Sequence, residues 1–206
     1  MMNKILAVIV VLALPVAGVA EQDRIESLRV PGAENTTRIS DQVISQARGR
    51  VGVNEAAGDD NLQFNGAAIA TGGALADTTV KSRQAIRLDR LPGPMRNRVS
   101  IEGNAFANAR GAMSINQVSG AANSQANAIA IRFGMQSEVF SDIDLEQSAA
   151  VTTPDMVKNL SGLTEGSVNV DDTAFAQAQG IVQLNQTAGV ANRSANALSI
   201  RVIEGP

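Results

Sequence analysis

The sequence predicts an all-β chain in which three strand–bend–strand repeats stack as a short β-solenoid or cross-β core, with irregular linkers between them. Three observations carry that expectation. Three segments superimpose without a gap: Arg48 to Ala70, Arg110 to Arg132 and Gln179 to Arg201. Within them apolar and polar residues alternate with the period of two that marks a strand. The composition, finally, offers little else to hold a fold together. There are no cysteines to form disulfides, and aromatics make up 2% of residues, all of them phenylalanine. An exported chain built this way has to find its cohesion in backbone pairing and side-chain stacking.

The chain begins with Lys4, the apolar run Ile5 to Leu14, Pro15 and the small residues Gly18-Val19-Ala20, so residues 1–20 read as a cleaved signal peptide. The apolar run is too short to span a bilayer. Residues 21–41 form an N-terminal segment without a recognisable cap. Repeat 1 covers 42–70, repeat 2 covers 104–132 and repeat 3 covers 173–201. Linkers occupy 71–103 and 133–172, and a short tail covers 202–206.

Each repeat opens on a similar run: QVISQARG from Gln42, NAFANARG from Asn104 and TAFAQAQG from Thr173. The alternation of Ala105, Ala107 and Ala109 against Asn104, Phe106 and Asn108 predicts a strand here, repeated at Ala174, Ala176 and Ala178. An apolar-x-apolar-Asn step follows, ending at Asn54, Asn116 and Asn185. Glu55, Gln117 and Gln186 come next, and then Gly58, Gly120 and Gly189. These glycines, free to adopt positive φ, are the expected bends of a β-arch or hairpin. Beyond the bend two asparagines recur at fixed distances: Asn61 and Asn65, Asn123 and Asn127, Asn192 and Asn196.

One such unit buries too little apolar surface to order itself, so neighbouring units have to stack. In-register stacking places identical amides above one another, where they hydrogen-bond along the stack. Asn54, Asn61, Asn65, Asn116, Gln117, Asn123, Asn127, Asn185, Gln186, Asn192 and Asn196 are therefore the expected assembly ladder. A stack of three rungs with no cap exposes two β-edges, which are templates for another copy.

Composition excludes much chemistry. Without His or Cys there is no His-based triad, thiol nucleophile, thiolate zinc site or His-ligated metal centre. No enzyme activity, catalytic residue, cofactor, metal or small-molecule substrate is expected. The full-chain net charge of −3 gives no bulk attraction for nucleic acid. Arg87, Arg90, Arg96 and Arg98 surround Pro92-Gly93-Pro94 in what reads as a solvated linker. Glu138, Asp142, Asp144 and Glu146 lack the glycine-turn spacing of a calcium loop. Asp59-Asp60 and Asp171-Asp172 are paired carboxylates without a partner for acid–base work, and the first pair suits a turn. Arg110, Arg132, Arg193 and Arg201 read either as gatekeepers against premature pairing or as ordinary surface arginines. Thr153-Pro154-Asp155 could start a short helix over Val151 to Leu163.

The pattern GxxxxNxxxGxxNxQxN, as in Gly111 to Asn127, resembles the repeats of the Fap functional-amyloid fibril subunits of bacterial biofilms. VGVNEAAGDDNLQFN (Val51 to Asn65) is especially similar to that family's core motif, and the layout of leader plus three repeats looks alike. Gln117-Gly120-Asn123 and Gln186-Gly189-Asn192 are loosely similar to curlin repeats as well. Unlike typical Fap subunits, the chain has no Cys-x-x-Cys near its end. The resemblance implies passage through the periplasm, export across the outer membrane and self-association into surface fibres that support biofilm and adhesion. It also implies related fibril subunits and an outer-membrane export machinery as partners. Rank as major, minor or nucleating subunit stays open. So do two other readings: a monomeric surface adhesin with a short capped β-solenoid, and a periplasmic accessory protein regulating the amyloid system.

Overall fold

A computed structural model describes residues 32–71, 78–88, 93–134, 141–151 and 164–203. The expected signal peptide and nearly all of the expected helix after Val151 lie outside these residues. The strands run in chain order as β1 (Ala33–Ile39), β2 (Arg48–Ala57), β3 (Leu62–Thr71), β4 (Thr78–Leu88), β5 (Met95–Ile101) and β6 (Arg110–Ala121). There follow β7 (Ser124–Gly134), β8 (Ser141–Val151), β9 (Thr164–Val170), β10 (Gln179–Val190) and β11 (Arg193–Ile203).

Pairing is parallel throughout, and it joins each strand to its counterpart one rung away. The sheets are β1-β5-β9, β2-β6-β10, β3-β7-β11 and β4-β8. Rung 1 is therefore β1–β4, rung 2 is β5–β8 and rung 3 is β9–β11, with rung 2 in the middle. Within a rung the chain snakes through successive layers, so β2 and β3 form an arch whose arms face each other from different sheets. The register keeps the spacing of the sequence repeat: Asn116 stands 62 residues from Asn54 and Asn185 a further 69 along.

The structure corrects two expectations. The linkers are not wholly irregular, since β4 and β5 lie within 71–103 and β8 and β9 within 133–172. The structural repeat is thus longer than the sequence repeat. The alanine-rich runs are turns rather than strands, spanning 41–46, 103–108 and 172–177. In them Asp41, Gln46, Asn108 and Gln177 take positive φ, a conformation that Asp and Asn tolerate better than most residues. Bonds such as Ala107 N–H to Asn104 O (3.1 Å) close the turn locally. Others such as Asn108 N–H to Ala176 O (2.9 Å) tie it to the next rung. Small residues satisfied the period of two without specifying an extended backbone. Among the paired carboxylates, Asp171 closes this region by accepting from Gly103 N–H at 2.8 Å.

The apolar core lies between sheets β1-β5-β9 and β2-β6-β10, where Ile101, Phe106, Met113 and Ile115 are buried. Phe106 stacks on Phe175 of the next rung at 5.0 Å between ring centres, with the planes 6° apart. Replacing Phe106 by alanine leaves a cavity in the central rung. It is expected to cost about 3–5 kcal/mol, checked by the shift in denaturant midpoint.

Sheet β4-β8 covers the far side, with Val80, Ile86 and Leu88 facing inward. Asp142, Asp144 and Glu146 alternate on the exposed face of β8, where Glu146 pairs with Arg83 at 2.7 Å. Arg96 of the basic stretch pairs with Glu165 at 3.1 Å and Arg98 with Glu34 at 3.7 Å, each across a rung boundary. Such exposed pairs contribute little stability. Arg110 is exposed, but Arg132 is buried, which neither reading of the arginines anticipated.

Candidate functional site: the amide ladders and the arch

β6 and β7 are covered on both faces and at both edges, and side-chain amides pack between the two arch sheets. Asn116, Asn123, Gln125 and Asn127 are all buried. Polar groups in such a place have to be hydrogen-bonded, and the register supplies the partners.

Three asparagine columns run along the stack. In the first, Asn185 Nδ2 donates to Asn116 Oδ1 and Asn116 Nδ2 to Asn54 Oδ1, both at 3.0 Å. In the second, Asn196 Nδ2 donates to Asn127 Oδ1 and Asn127 Nδ2 to Asn65 Oδ1, again at 3.0 Å. These two columns are cross-linked within each rung by Asn65 to Asn54, Asn127 to Asn116 and Asn196 to Asn185, each at 2.9 Å. The third column sits at the arch tip. There Asn192 Nδ2 donates to Asn123 Oδ1 at 3.0 Å, and Asn123 Nδ2 to Asn61 Oδ1 at 2.9 Å.

Gln117 and Gln186 face the other way, towards sheet β1-β5-β9. Gln186 Nε2 donates to Gln117 Oε1 at 2.8 Å, and Gln117 Nε2 donates to Glu55 Oε2 at 3.0 Å and to Ser100 O at 2.8 Å. Glu55 therefore ends this column in rung 1, where the other rungs carry glutamine. Burial pushes its carboxyl above the usual range, partly opposed by the Arg38 N–H and the Gln117 amide.

The arch glycines are fixed by geometry. Gly58, Gly120 and Gly189 have φ of 98°, 124° and 148°. A Cβ on Gly58 would overlap the Gly120 carbonyl, and one on Gly120 the Gly189 carbonyl. The arch amides use those same carbonyls: Asn61 Nδ2 reaches Gly120 O and Asn123 Nδ2 reaches Gly189 O, both at 2.9 Å. Asp60, in the arch of rung 1, also has positive φ, and Asp59 O accepts from Ala122 N–H at 2.9 Å. Both groups act in the turn.

Sequence reasoning missed the glutamine pair Gln63 and Gln125, joined at 3.0 Å, with Gln125 Nε2 continuing to Thr187 Oγ1 at 3.0 Å. The shared Asn-x-Gln-x-Asn spacing of repeats 1 and 2 was its signal. It also missed Ser100 and Ser194. Ser194 Oγ donates to Asn185 Oδ1 at 2.6 Å, and neither serine has an identical partner in the other repeats to mark it. Among the described residues no group of three or more carboxylates is placed to hold a metal ion.

The bonds of the asparagine columns and of the Gln117 column run one way, while Gln63 Nε2 donates to Gln125 Oε1 and Asn35 Nδ2 to Asn97 Oδ1, both at 3.0 Å, in the opposite sense. In the Asn54, Asn65 and Gln117 columns each amide turns its nitrogen towards rung 1 and its oxygen towards rung 3. Rung 1 consequently turns Asn54 Nδ2 outward, while rung 3 turns Gln186 Oε1 and Asn196 Oδ1 outward. In the two facing asparagine columns, the open ends of the stack are the donor side and the acceptor side of one pattern.

No solved structure matches the chain. The family model for the functional amyloid protein FapB/FapC family matches residues 16–203, which takes in every rung and both amide-lined ends. A stack of amide-laddered arches with complementary ends, matched over nearly its whole length, belongs to the functional amyloid protein FapB/FapC family.

Proposed function

We propose that the chain is an exported structural subunit of extracellular amyloid fibres, lengthening when rung 1 of one copy settles on rung 3 of another. The observation that supports this most is the polarity of the ladders. In the asparagine columns donors leave one end and acceptors the other, so head-to-tail contact continues those columns, whereas head-to-head contact opposes like groups to like. Catalysis plays no part in this role. The assembly residues are the eleven ladder amides from Asn54 to Asn196, with Gly58, Gly120 and Gly189 holding the bends. In this reading residues 1–20 direct export, the fibre stands at the cell surface in biofilm, and related subunits and an outer-membrane export machinery are its partners.

The test is incubation of the purified chain from Glu21 without denaturant, followed by thioflavin fluorescence and fibre diffraction. Growth that can be seeded, with a meridional reflection at about 4.8 Å, is expected. A chain that stays monomeric after prolonged incubation would reject the fibre role and favour the adhesin or accessory readings.

A further inference from the structure

The Gln117 column is the one ladder that head-to-tail stacking leaves incomplete. At the junction between copies, Glu55 of the incoming rung 1 lies in register with Gln186 of the rung 3 beneath it. Gln186 Oε1 points at that position, because its nitrogen is committed to Gln117 Oε1 at 2.8 Å. Reversing the column would break that bond and the one that anchors Gln117 to Ser100 O at 2.8 Å. The outward oxygen therefore needs a donor. An ionised carboxylate has none, while a protonated carboxyl has one.

Resting on the fibre reading, we propose that the Glu55 carboxyl gates the addition of each copy, closing the junction when protonated and opposing it when ionised. A protonated Glu55 donates its O–H to Gln186 Oε1 and still accepts from Gln117 Nε2, so the column runs unbroken through the junction. An ionised Glu55 sets a negative oxygen against an amide oxygen in a site that the incoming copy seals from water.

Among the described residues, no side-chain cation is paired with Glu55. From β1, Arg38 offers its backbone N–H to Glu55 Oε1 at 3.0 Å, while its guanidinium pairs with Glu102, just beyond β5, at 3.4 Å. From β6 the facing group is the neutral Gln117 amide, and from β3 the Gln63 amide bonds the Glu55 backbone oxygen at 2.9 Å. Glu34, elsewhere on β1, is engaged with Arg98 at 3.7 Å. Burial already raises the Glu55 pKa above 4.5 in the single chain. A covering copy removes more water and acts in the same direction. A raised carboxyl pKa favours the folded, stacked form fully below the ordinary value, and that benefit is lost as pH rises through the shifted one.

The experiment compares seeded elongation of the wild-type chain from Glu21 with Glu55→Gln and Glu34→Gln, each on its own seeds, between about pH 3 and about pH 8. Glutamine at position 55 repeats the residue of rungs 2 and 3, so the fold is kept. The readout is the rate ratio of variant to wild type at each pH, in which the general charge of the chain largely cancels. For Glu55→Gln the ratio is expected to be roughly ten- to a hundredfold near pH 7 and to fall towards one at the acid end. For Glu34→Gln, which removes an exposed carboxylate from the same rung, it should stay near one throughout. A Glu55→Gln ratio that does not change with pH, or a Glu34→Gln ratio that follows the same curve, overturns the gate while leaving the fibre reading intact. Absence of seedable growth from every protein at every pH rejects the fibre reading, and the gate with it.

Discussion

Gly120→Ala is expected to prevent the central rung from forming. The residue sits at φ 124°, where an L side chain is strained, and the new methyl would overlap the Gly189 carbonyl, whose carbon lies 2.8 Å from the Cβ position. That neighbour is backbone held in a parallel sheet, so it has no rotamer to move into. The same carbonyl accepts from Asn123 Nδ2 at 2.9 Å, and pushing it aside breaks the arch column as well. A loss of about 4 kcal/mol or more follows, enough to exhaust the stability of many domains. Gly93 is the matched control: it has open space around its Cβ position and no positive φ, and Gly93→Ala should be close to silent. Circular dichroism with guanidinium titration of both variants decides the matter. Equal midpoints for the two would refute the arch geometry described above.

The second large effect is expected at Asn116, the hub of the central rung. Its Nδ2 lies 3.0 Å from Asn54 Oδ1, 2.9 Å from Phe64 O and 3.0 Å from Asn65 Oδ1. Its Oδ1 accepts from Asn127 Nδ2 at 2.9 Å and Asn185 Nδ2 at 3.0 Å. Alanine removes all of these and leaves buried amides that no water can reach. With each stranded group costing about 1–3 kcal/mol, Asn116→Ala should lose roughly 3–5 kcal/mol. Asn196 lies at the rung 3 end and leaves fewer partners behind, so Asn196→Ala should lose only about 1 kcal/mol in the single chain. On the proposed fibre reading it should nevertheless slow elongation, because Asn196 Oδ1 would then lie on the docking face. Urea titration separates the two variants by stability, and seeded growth tests the second effect. Equal destabilisation by both would show that the columns do not cooperate.

The layers were unequally legible in the sequence, for a physical reason. β6 and β7 are covered on both faces, and in-register stacking demands a like residue above and below, so nearly every position is restricted. The repeats therefore announce these strands and their partners residue by residue, including the Asn columns and the arch glycines. β4 and β8 belong to an outer sheet and restrict only alternate positions. Val80 and Ile143 share a register position, as do Gln84 and Gln147, while the exposed positions between them are unlike. Too little identity survives to stand out, and by sequence these strands read as linkers. At Ala105 to Ala109 the failure was different. Non-glycine residues with positive φ, here Asn108, leave no unambiguous mark in a sequence. The special position of Glu55 was visible as a departure from Gln117 and Gln186, but its meaning depended on knowing which way the amides point.

That common direction also has an electrical consequence. Backbone bonds between rungs run both ways, as in Ile44 N–H to Ala105 O and Arg110 N–H to Ala47 O, so their dipoles largely cancel. The side-chain amides of the Asn54, Asn65 and Gln117 columns do not alternate. The Gln63-to-Gln125 and Asn35-to-Asn97 bonds oppose them but are fewer, so each copy added to the proposed filament contributes a net vector and the axial moment grows with length. Its two tips are different chemical species, one offering the Asn54 N–H and a titratable acid, the other the Gln186 and Asn196 amide oxygens. They have no reason to grow at the same speed.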